Sequence, residues 1–503
     1  MADSARNHEP ADAIIEWLAA EPDPDMMAEL GALRAHLGGL PEGAEQRDAQ
    51  VLLQMAERAL DAVGRLRPQL LTAGLPLSRE LHMAAEALVG LLCDIAAALW
   101  SVQKLRESRW LRLGRGATED AVGEAFVLVC EAHIVLSMSG AAAPDGFWRR
   151  AHALSGVDAG VPAQDLDAAV ARRLFLYRRM LAATVAQPES LTPRESSWLF
   201  DYLDATAMHA QLSLEPIAPA SAAYWIDPSA DHAPVAVARR PPPEGGAVRY
   251  FSPAPLVSHA RDHIEWLEAC MMEAELSSLE VDGEALAPDV AGLPFGLAPG
   301  EMLSLLRRLR DRWAMPPMRE LPRRRYQYTV QVCVGLRALW ELGRGEIEAA
   351  RIAQWMVLNE SPGGYAIMCV SGVAGVIEAG MVVALRRHAT EPWTVSLVRW
   401  ARSDNPDQVE LGLQILSLGF ASIQLGFRGS EVHSAAPGLM LPAMAPLRAH
   451  PVILAPAGTY KSRRFVFVRD GASLYVAQGR ALGLDMQTAN VEMFQYETDP
   501  YAL

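Results

Sequence analysis

The sequence is short of paired cysteines and of positive charge. Its 503 residues include five cysteines, an odd number, and none of them has Cys-x-x-Cys spacing. This pattern argues against a disulfide framework and indicates reduced thiols in a cytoplasm. The chain has 45 Lys and Arg against 60 Asp and Glu, which gives a net charge of −15. Such an acidic balance argues against a general binder of DNA, RNA or anionic membranes.

Targeting and membrane signals are also lacking. Residues 1–10 are polar and contain no apolar segment of the signal-peptide kind. The most apolar long segment, residues 84–102, carries Glu86 and Asp94. A carboxylate near the centre of a bilayer is costly, so we interpret this segment as a buried helix without a membrane span. We expect the protein in the cytoplasm.

Catalytic and metal-binding motifs are scarce. There is no Gly-x-Ser-x-Gly elbow, no His-Glu-x-x-His helix and no Gly-x-Gly-x-x-Gly after a strand. His259 and His263 share one predicted helix face, but no further Cys or His lies nearby in sequence to complete a zinc site. We therefore predict no metal, no cofactor and no enzymatic activity.

Helical periodicity dominates the first part of the chain. Apolar residues recur at i, i+3, i+4 and i+7 through residues 51–63 and again through 81–105, which predicts a bundle of amphipathic helices. One helix start is well marked, since Thr192 is followed by Pro193 and Glu195 in the capping-box arrangement.

The chain then changes character twice. A Pro-rich segment around residues 239–246 is flanked by short β-type runs, which predicts either a small hairpin element or a linker before further helices. Strand-like runs separated by turns begin at about residue 326 and predict a small antiparallel barrel. Residues 429–503 contain further short strand-like runs separated by turns. They form either an extension of the barrel or a separate β unit. The predicted fold is an α+β multidomain protein with units at 1–212, 213–318, 319–428 and 429–503.

Two short motifs stand out in the barrel region. One precedes the first predicted strand, and the other lies in a later turn. The first contains Arg319, Arg323 and Arg324, and the second is Asn359-x-Ser361-x-x-Gly364. The planar fork of arginine fits both phosphate oxygens and the acceptors of guanine. The amide and hydroxyl of the second motif can bond a base edge, and its glycine lets the backbone come close to a ligand. Together the motifs suit a purine nucleotide that carries phosphates.

The two motifs and the strands between them resemble a PilZ domain, the bacterial receptor module for cyclic di-GMP, over residues 319–416. The resemblance implies that Arg319 and Arg323 hold the phosphates and stack on the guanines, with Arg324 beside them. It implies that Asn359, Ser361 and Gly364 form the turn that binds a guanine edge. In a second register, residues 323–325 lead the motif and the partner position falls at Gln327 or Tyr328.

Two hypotheses of different classes follow. In the first, the protein is a cyclic di-GMP effector that relays binding to its helical region or to a protein partner. In the alternative, it is a degenerate PilZ adaptor or scaffold that binds partners without nucleotide. The two differ in whether Arg319 and Arg323 are needed for a nucleotide-dependent effect.

Overall fold

The computed structural model describes residues 11–40, 46–110, 120–156, 167–280, 290, 292–316, 322–369, 375–427, 435–445, 448–460, 464–469 and 474–499. A helical amino-terminal region is followed by a small sheet, two long helices and two antiparallel barrels. The predicted helical region and the predicted antiparallel barrel are both present.

The helical region is built around one almost completely buried helix. In the described part of this region the helices are α1 (Ala11–Ala19), α2 (Met26–Gly39), α3 (Gln46–Leu71), α4 (Arg79–Trp110), α5 (Ala121–Ser139), α6 (Phe147–Ser155), α7 (Ala168–Val185) and α8 (Pro193–Thr206). The buried helix is α5, which packs against α3, α4, α7 and α8, and most of its side chains are inaccessible to solvent.

Helices α4 and α5 are long and apolar enough to cross a membrane by length and composition alone. The larger part of each apolar segment is buried against the other helices. Core helices of a bundle meet the same criteria, and this burial agrees with the interpretation of residues 84–102 as a packed helix.

The capping box predicted at the start of α8 is confirmed. The backbone N–H of Glu195 donates to the Thr192 hydroxyl at 3.2 Å, and the backbone N–H of Thr192 donates to the Glu195 carboxylate at 3.0 Å. The two bonds satisfy amide groups that would otherwise lack partners at a helix start. The Glu195 carboxylate also pairs with the Arg308 guanidinium.

The Pro-rich segment forms a small four-stranded sheet. Its antiparallel strands are β1 (Gln211–Ser213), β2 (Tyr224–Ile226), β3 (Val235–Ala236) and β4 (Arg249–Ser252), in the order β1-β4-β2-β3. Helices α9 (Ala254–Glu280) and α10 (Pro299–Ala314) follow. Helix α10 packs on the helical region, where the indole N–H of Trp313 donates to the Ala182 carbonyl at 3.2 Å.

Six strands close into a first barrel in the order β10-β7-β6-β5-β8-β9. Valine and leucine side chains such as Val330, Val332 and Leu411 fill its interior. The strands are β5 (Arg324–Val334), β6 (Ile352–Ser361), β7 (Gly364–Cys369), β8 (Val382–Arg386), β9 (Thr394–Asn405) and β10 (Gln408–Ser417). Helix α11 (Leu336–Arg344) is inserted between β5 and β6.

A second six-stranded barrel lies at the carboxyl-terminal side, where the sequence left open an extension of the first barrel or a separate β unit. It closes in the order β11-β12-β13-β16-β15-β14 around an aromatic core that includes Phe427, Phe465 and Phe494. Its strands are β11 (Ala421–Phe427), β12 (Ala436–Leu441), β13 (Val452–Pro456), β14 (Arg464–Arg469), β15 (Tyr475–Gln487) and β16 (Val491–Thr498).

Strand β11 belongs to the second barrel. It falls inside the predicted unit 319–428, yet it pairs with β12 and β14 of the second barrel. The physical reason is that β9 and β10 already pair with each other and close the first barrel, which leaves no open edge for another strand.

Helix α11 joins the two barrels. Its Trp340 side chain is buried, and the indole N–H donates to the Ile423 carbonyl at 2.8 Å. The Ser422 hydroxyl donates back to the Trp340 carbonyl at 2.7 Å. Apolar residues of both barrels and of this helix form one buried cluster. The insertion between β5 and β6 therefore seats the second barrel on the first.

The first barrel also contacts the helical region directly. Leu75 and Ile377 exchange two backbone hydrogen bonds of 2.8 and 3.0 Å. The backbone N–H of Ser403, in β9, donates to the Gly140 carbonyl at 3.0 Å. Buried residues of the helical region and of the barrel interior belong to one continuous apolar cluster. The barrel is thus packed against the helices rather than suspended from a linker.

Candidate functional site

The ends of β5 and β6 bring the two sequence motifs together. In their antiparallel pairing, Arg324 lies opposite Glu360 and Arg325 lies opposite Asn359. Nη1 of Arg323 donates to Oδ1 of Asn359 at 3.1 Å. Two segments that are 36 residues apart in sequence therefore meet at one rim of the first barrel.

The hairpin between β6 and β7 holds the rest of the second motif. Ser361 pairs with Gly364, so Pro362 and Gly363 make the turn. The Ser361 hydroxyl donates to the Gly364 carbonyl at 3.3 Å. A Cβ atom at Gly364 would stand 1.9 Å from the Leu413 carbonyl oxygen of β10. Glycine is needed at this position because the neighbouring strand approaches too closely for any side chain.

The described arginines of the first motif are open to solvent. Arg323, Arg324 and Arg325 are all exposed, whereas Asn359 and Ser361 are half-buried. Arg319 lies outside the described residues, in the segment 317–321. The site is an open rim with three consecutive guanidinium groups, and the Glu360 carboxylate lies beside them. Such a rim can attract an anion to the N–H groups of the guanidinium and still leave the flat guanidinium face free to stack on a base.

Tyrosine and arginine side chains that the motifs do not include complete this rim. The Tyr328 hydroxyl donates to the Glu360 carboxylate. Burial and this bond to Glu360 raise the pKa of Tyr328, so the phenol stays protonated as a donor. The guanidinium of Arg387 lies 4.6 Å from the centroid of the Tyr328 ring, and the Tyr326 ring lies 6.2 Å from it. The three side chains form a cation and aromatic surface beside Asn359.

A sequence signal for part of this surface exists. Tyr326 and Tyr328 alternate along β5 directly after the arginines, whereas the second register placed Gln327 or Tyr328 only where a partner arginine would fall. Arg387 carries no such signal, because it follows β8 and comes near Tyr328 only through the pairing of β8 with β5.

The histidine pair in α9 is engaged in other contacts. Nδ1 of His263 lies 2.8 Å from the Tyr202 hydroxyl, and the His259 ring stacks at 3.8 Å on the His209 ring. Within the residues that the structure describes, no group of three or more His, Cys, Asp or Glu side chains has the geometry to hold a metal ion.

Comparison with known families gives the class of the barrel. Residues 341–419 match the family model described as "Cyclic-di-GMP receptor FimW, middle PilZ domain". The chain therefore contains a PilZ domain, as the resemblance indicated. The match includes β6 to β10 with Asn359, Ser361 and Gly364, and it begins after the arginine cluster.

A second match lies in the helical region. Residues 12–219 match the model described as "Cyclic-di-GMP receptor FimW, N-terminal domain". Among curated proteins, the cyclic-di-GMP receptor FimW of Pseudomonas aeruginosa is 24% identical over 102 residues. This alignment covers 20% of the present chain and 17% of that protein. The chain is thus similar to FimW in a helical domain and in a PilZ domain, and the aligned part spans a small fraction of that relative.

Proposed function

We propose that this protein is a cyclic di-GMP receptor whose ligand binds at the rim of the first barrel. The observation that carries the proposal is the 3.1 Å hydrogen bond between Arg323 and Asn359, which joins the arginine motif to the Asn-x-Ser-x-x-Gly motif. In this arrangement guanidinium groups hold the phosphates. The Asn359 amide and the Ser361 hydroxyl bond a guanine edge.

The chemistry of the rim favours a guanine dinucleotide over other anions. Arginine bonds the O6 and N7 acceptors of guanine with both arms of its fork, and each such contact discriminates by about 1–3 kcal/mol against the wrong base. Cation and aromatic faces at Arg387 and Tyr328 offer a stacking surface for a base. FimW, which the chain resembles in two domains, is named as a cyclic-di-GMP receptor.

Calorimetric titration with three nucleotides tests this function. The purified chain is titrated with cyclic di-GMP, with cyclic di-AMP and with GMP at the same ionic strength. We expect saturable binding of cyclic di-GMP, at least about tenfold tighter than cyclic di-AMP because the guanine contacts are lost. Absence of binding by a folded protein, or equal binding of both dinucleotides, would contradict the proposal.

The proposed relay runs from the rim to the helical region. The segment between α10 and β5 leads from helices packed on Ala182 to the arginines, and the same barrel touches the helices through Leu75 and Gly140. A ligand that binds Arg323 and Arg324 shifts the protein from its free to its bound arrangement only as far as its affinities for the two arrangements differ. Limited proteolysis should show protection of residues 313–325 by cyclic di-GMP, and identical digestion patterns would oppose the relay.

A second candidate function is an adaptor that needs no nucleotide. One observation favours it: polar groups of the rim bond one another, since Arg323 bonds Asn359 and Tyr328 bonds Glu360. A rim whose groups are already paired can serve as a scaffold. In that case the chain folds normally, binds none of the three nucleotides, and keeps partner binding when the arginines are replaced.

A further inference from the structure

A cleft of about 530 Å³ lies where α10, the first barrel and the second barrel meet. Leu397 and Arg399 of β9 form one wall, and residues 484–488, at the end of β15, form another. Its volume is in the range of small-molecule sites. The basic side chains that line it are Arg307, Arg308, Arg310, Arg312 and Arg399.

The charge of this arginine cleft is only partly balanced. Arg307 pairs with Glu268 at 2.6 Å, Arg308 pairs with Glu195, and Arg310 pairs with Asp311 at 2.7 Å.

The other two arginines lack such a counter-charge. Arg312 donates to the Ala186 carbonyl at 2.7 Å. Within the described residues neither Arg312 nor Arg399 forms an ion pair with a carboxylate. The remaining acidic group of the lining, Asp485, accepts two hydrogen bonds from the Gln495 amide. Two positive charges therefore face the cleft without a carboxylate partner.

The positive charges of Arg308, Arg312 and Arg399 repel one another. Burial, followed by the charges of Arg308 and Arg399, lowers the pKa of Arg312 to about 9. Desolvation and the charge of Arg308 also lower the pKa of Arg399. Like charges that are held together in a partly desolvated space raise the free energy of the folded state unless an anion joins them.

Two residues that line the same cleft carry a donor without a partner. The Ser304 side chain is only 3% exposed, and its hydroxyl has no hydrogen-bond partner among the described residues. One turn further along α10, Nε of Arg308 is buried and likewise unpartnered. Buried polar groups normally find partners, so two unused donors on one helix face indicate an acceptor that the protein does not itself supply.

We propose that the arginine cleft binds a small phosphorylated anion, with Ser304, Arg308, Arg312 and Arg399 as its donors. Arginine forks and a hydroxyl are suited to phosphate oxygens. This site is separate from the barrel rim at Asn359, because β9 and β6 are not neighbours in the closed order of the first barrel. An anion held here would contact α10 and both barrels at once.

Calorimetry with inorganic pyrophosphate and with ATP tests the site. Both probes carry the phosphate chemistry, and a higher affinity for ATP would indicate a nucleotide as the source of the phosphates. We expect saturable binding with one site per chain, and Arg399→Ala should weaken it at least about tenfold because a guanidinium bond to phosphate is lost. Arg399 is exposed, so this variant should fold.

Two control variants keep the outcome decisive. Arg480→Ala removes an exposed arginine of β15 outside the cleft and should leave binding unchanged. Arg324→Ala alters the barrel rim and should also leave pyrophosphate binding unchanged. Absence of saturable binding, or equal binding by the Arg399→Ala variant, would overturn the proposal. Competitive displacement of pyrophosphate by cyclic di-GMP in the Arg324→Ala variant would also overturn it, since the cleft would then be the dinucleotide site.

Discussion

Nη1 of Arg323 donates to Oδ1 of Asn359 at 3.1 Å, and this bond joins the approach to the first barrel with the end of its second strand. The same Asn359 oxygen is an acceptor that a guanine edge could use instead. Ligand binding at the rim must therefore share or replace this contact.

Replacing Glu360 by Gln should strengthen binding of cyclic di-GMP. The carboxylate lies opposite Arg324 and is the negative charge of the rim, so it repels the two phosphates. One charge at about 8 Å contributes about 1 kcal/mol at an intermediate dielectric, which corresponds to about a fivefold gain in affinity. Titration of Glu360→Gln beside Glu346→Gln, an exposed control in the same barrel, measures the effect. A loss of affinity would mean that Glu360 contacts the ligand favourably.

Replacing Gly364 by Ala should destabilise the first barrel. The added Cβ would lie 1.9 Å from the Leu413 carbonyl oxygen, which is backbone and cannot rotate away. Overpacking of this kind costs about 1–3 kcal/mol. Gly419→Ala is the matched control, because nothing lies within 4 Å of its added atom. Thermal unfolding of the two variants should show a lower transition temperature for Gly364→Ala alone, and equal transitions would contradict the packing described.

Replacing Trp340 by Phe should loosen the second barrel from the first. The change removes the indole donor to the Ile423 carbonyl at 2.8 Å and leaves that acceptor without one of its partners. We expect a loss of about 1 kcal/mol and faster proteolysis in residues 418–420, between the barrels. Trp400→Phe serves as control, since this half-buried ring lies against Arg402 and does not belong to the cluster shared by the two barrels. Unchanged cleavage in Trp340→Phe would show that apolar packing alone seats the second barrel.

The free energy of unfolding should fall as the pH is lowered below about 6.5. Burial lowers the pKa of His133 to about 3, against about 6.5 in an unfolded chain. Between these values the unfolded state binds a proton that the native state does not. The stabilisation that comes from the neutral His133 ring is therefore fully present above pH 6.5. Below that value the free energy of unfolding falls by up to about 1.4 kcal/mol per pH unit.

Denaturant titrations at several pH values measure this slope. His133→Gln should reduce it, and some slope should persist because burial also lowers the pKa of His152. His388→Gln, at an exposed position, serves as the control. An identical slope in His133→Gln would contradict the assignment of the titration to that ring.

Local signals in the sequence predicted most of the elements correctly. The capping box at Thr192 and the strands of the first barrel follow from short-range patterns. The closure of the second barrel did not follow, because the pairing of β11 with β14 joins residues about 40 apart that share no local signal. The position of β11 depends on whether the preceding barrel is already closed, and that is a long-range property.

The candidate site was predicted in part for the same reason. The two motifs are local, so Arg323 and Asn359 could be named from the sequence, and their roles in binding stay predictions. Arg387 could not be named, since only the pairing of β8 with β5 brings it to Tyr328. The arginine cleft could not be predicted from the sequence either, because α10, β9 and β15 contribute to it from three distant parts of the chain.

The most direct measurement is calorimetric titration of cyclic di-GMP into the Arg323→Ala variant, beside wild type and Arg337→Ala. Arg337 is an exposed arginine of α11, so its replacement removes the same charge from the same barrel without touching the rim. Our account predicts saturable binding by wild type and by Arg337→Ala, and a loss of at least about tenfold in Arg323→Ala. Equal affinity of all three proteins would contradict a receptor site at Arg323 and Asn359.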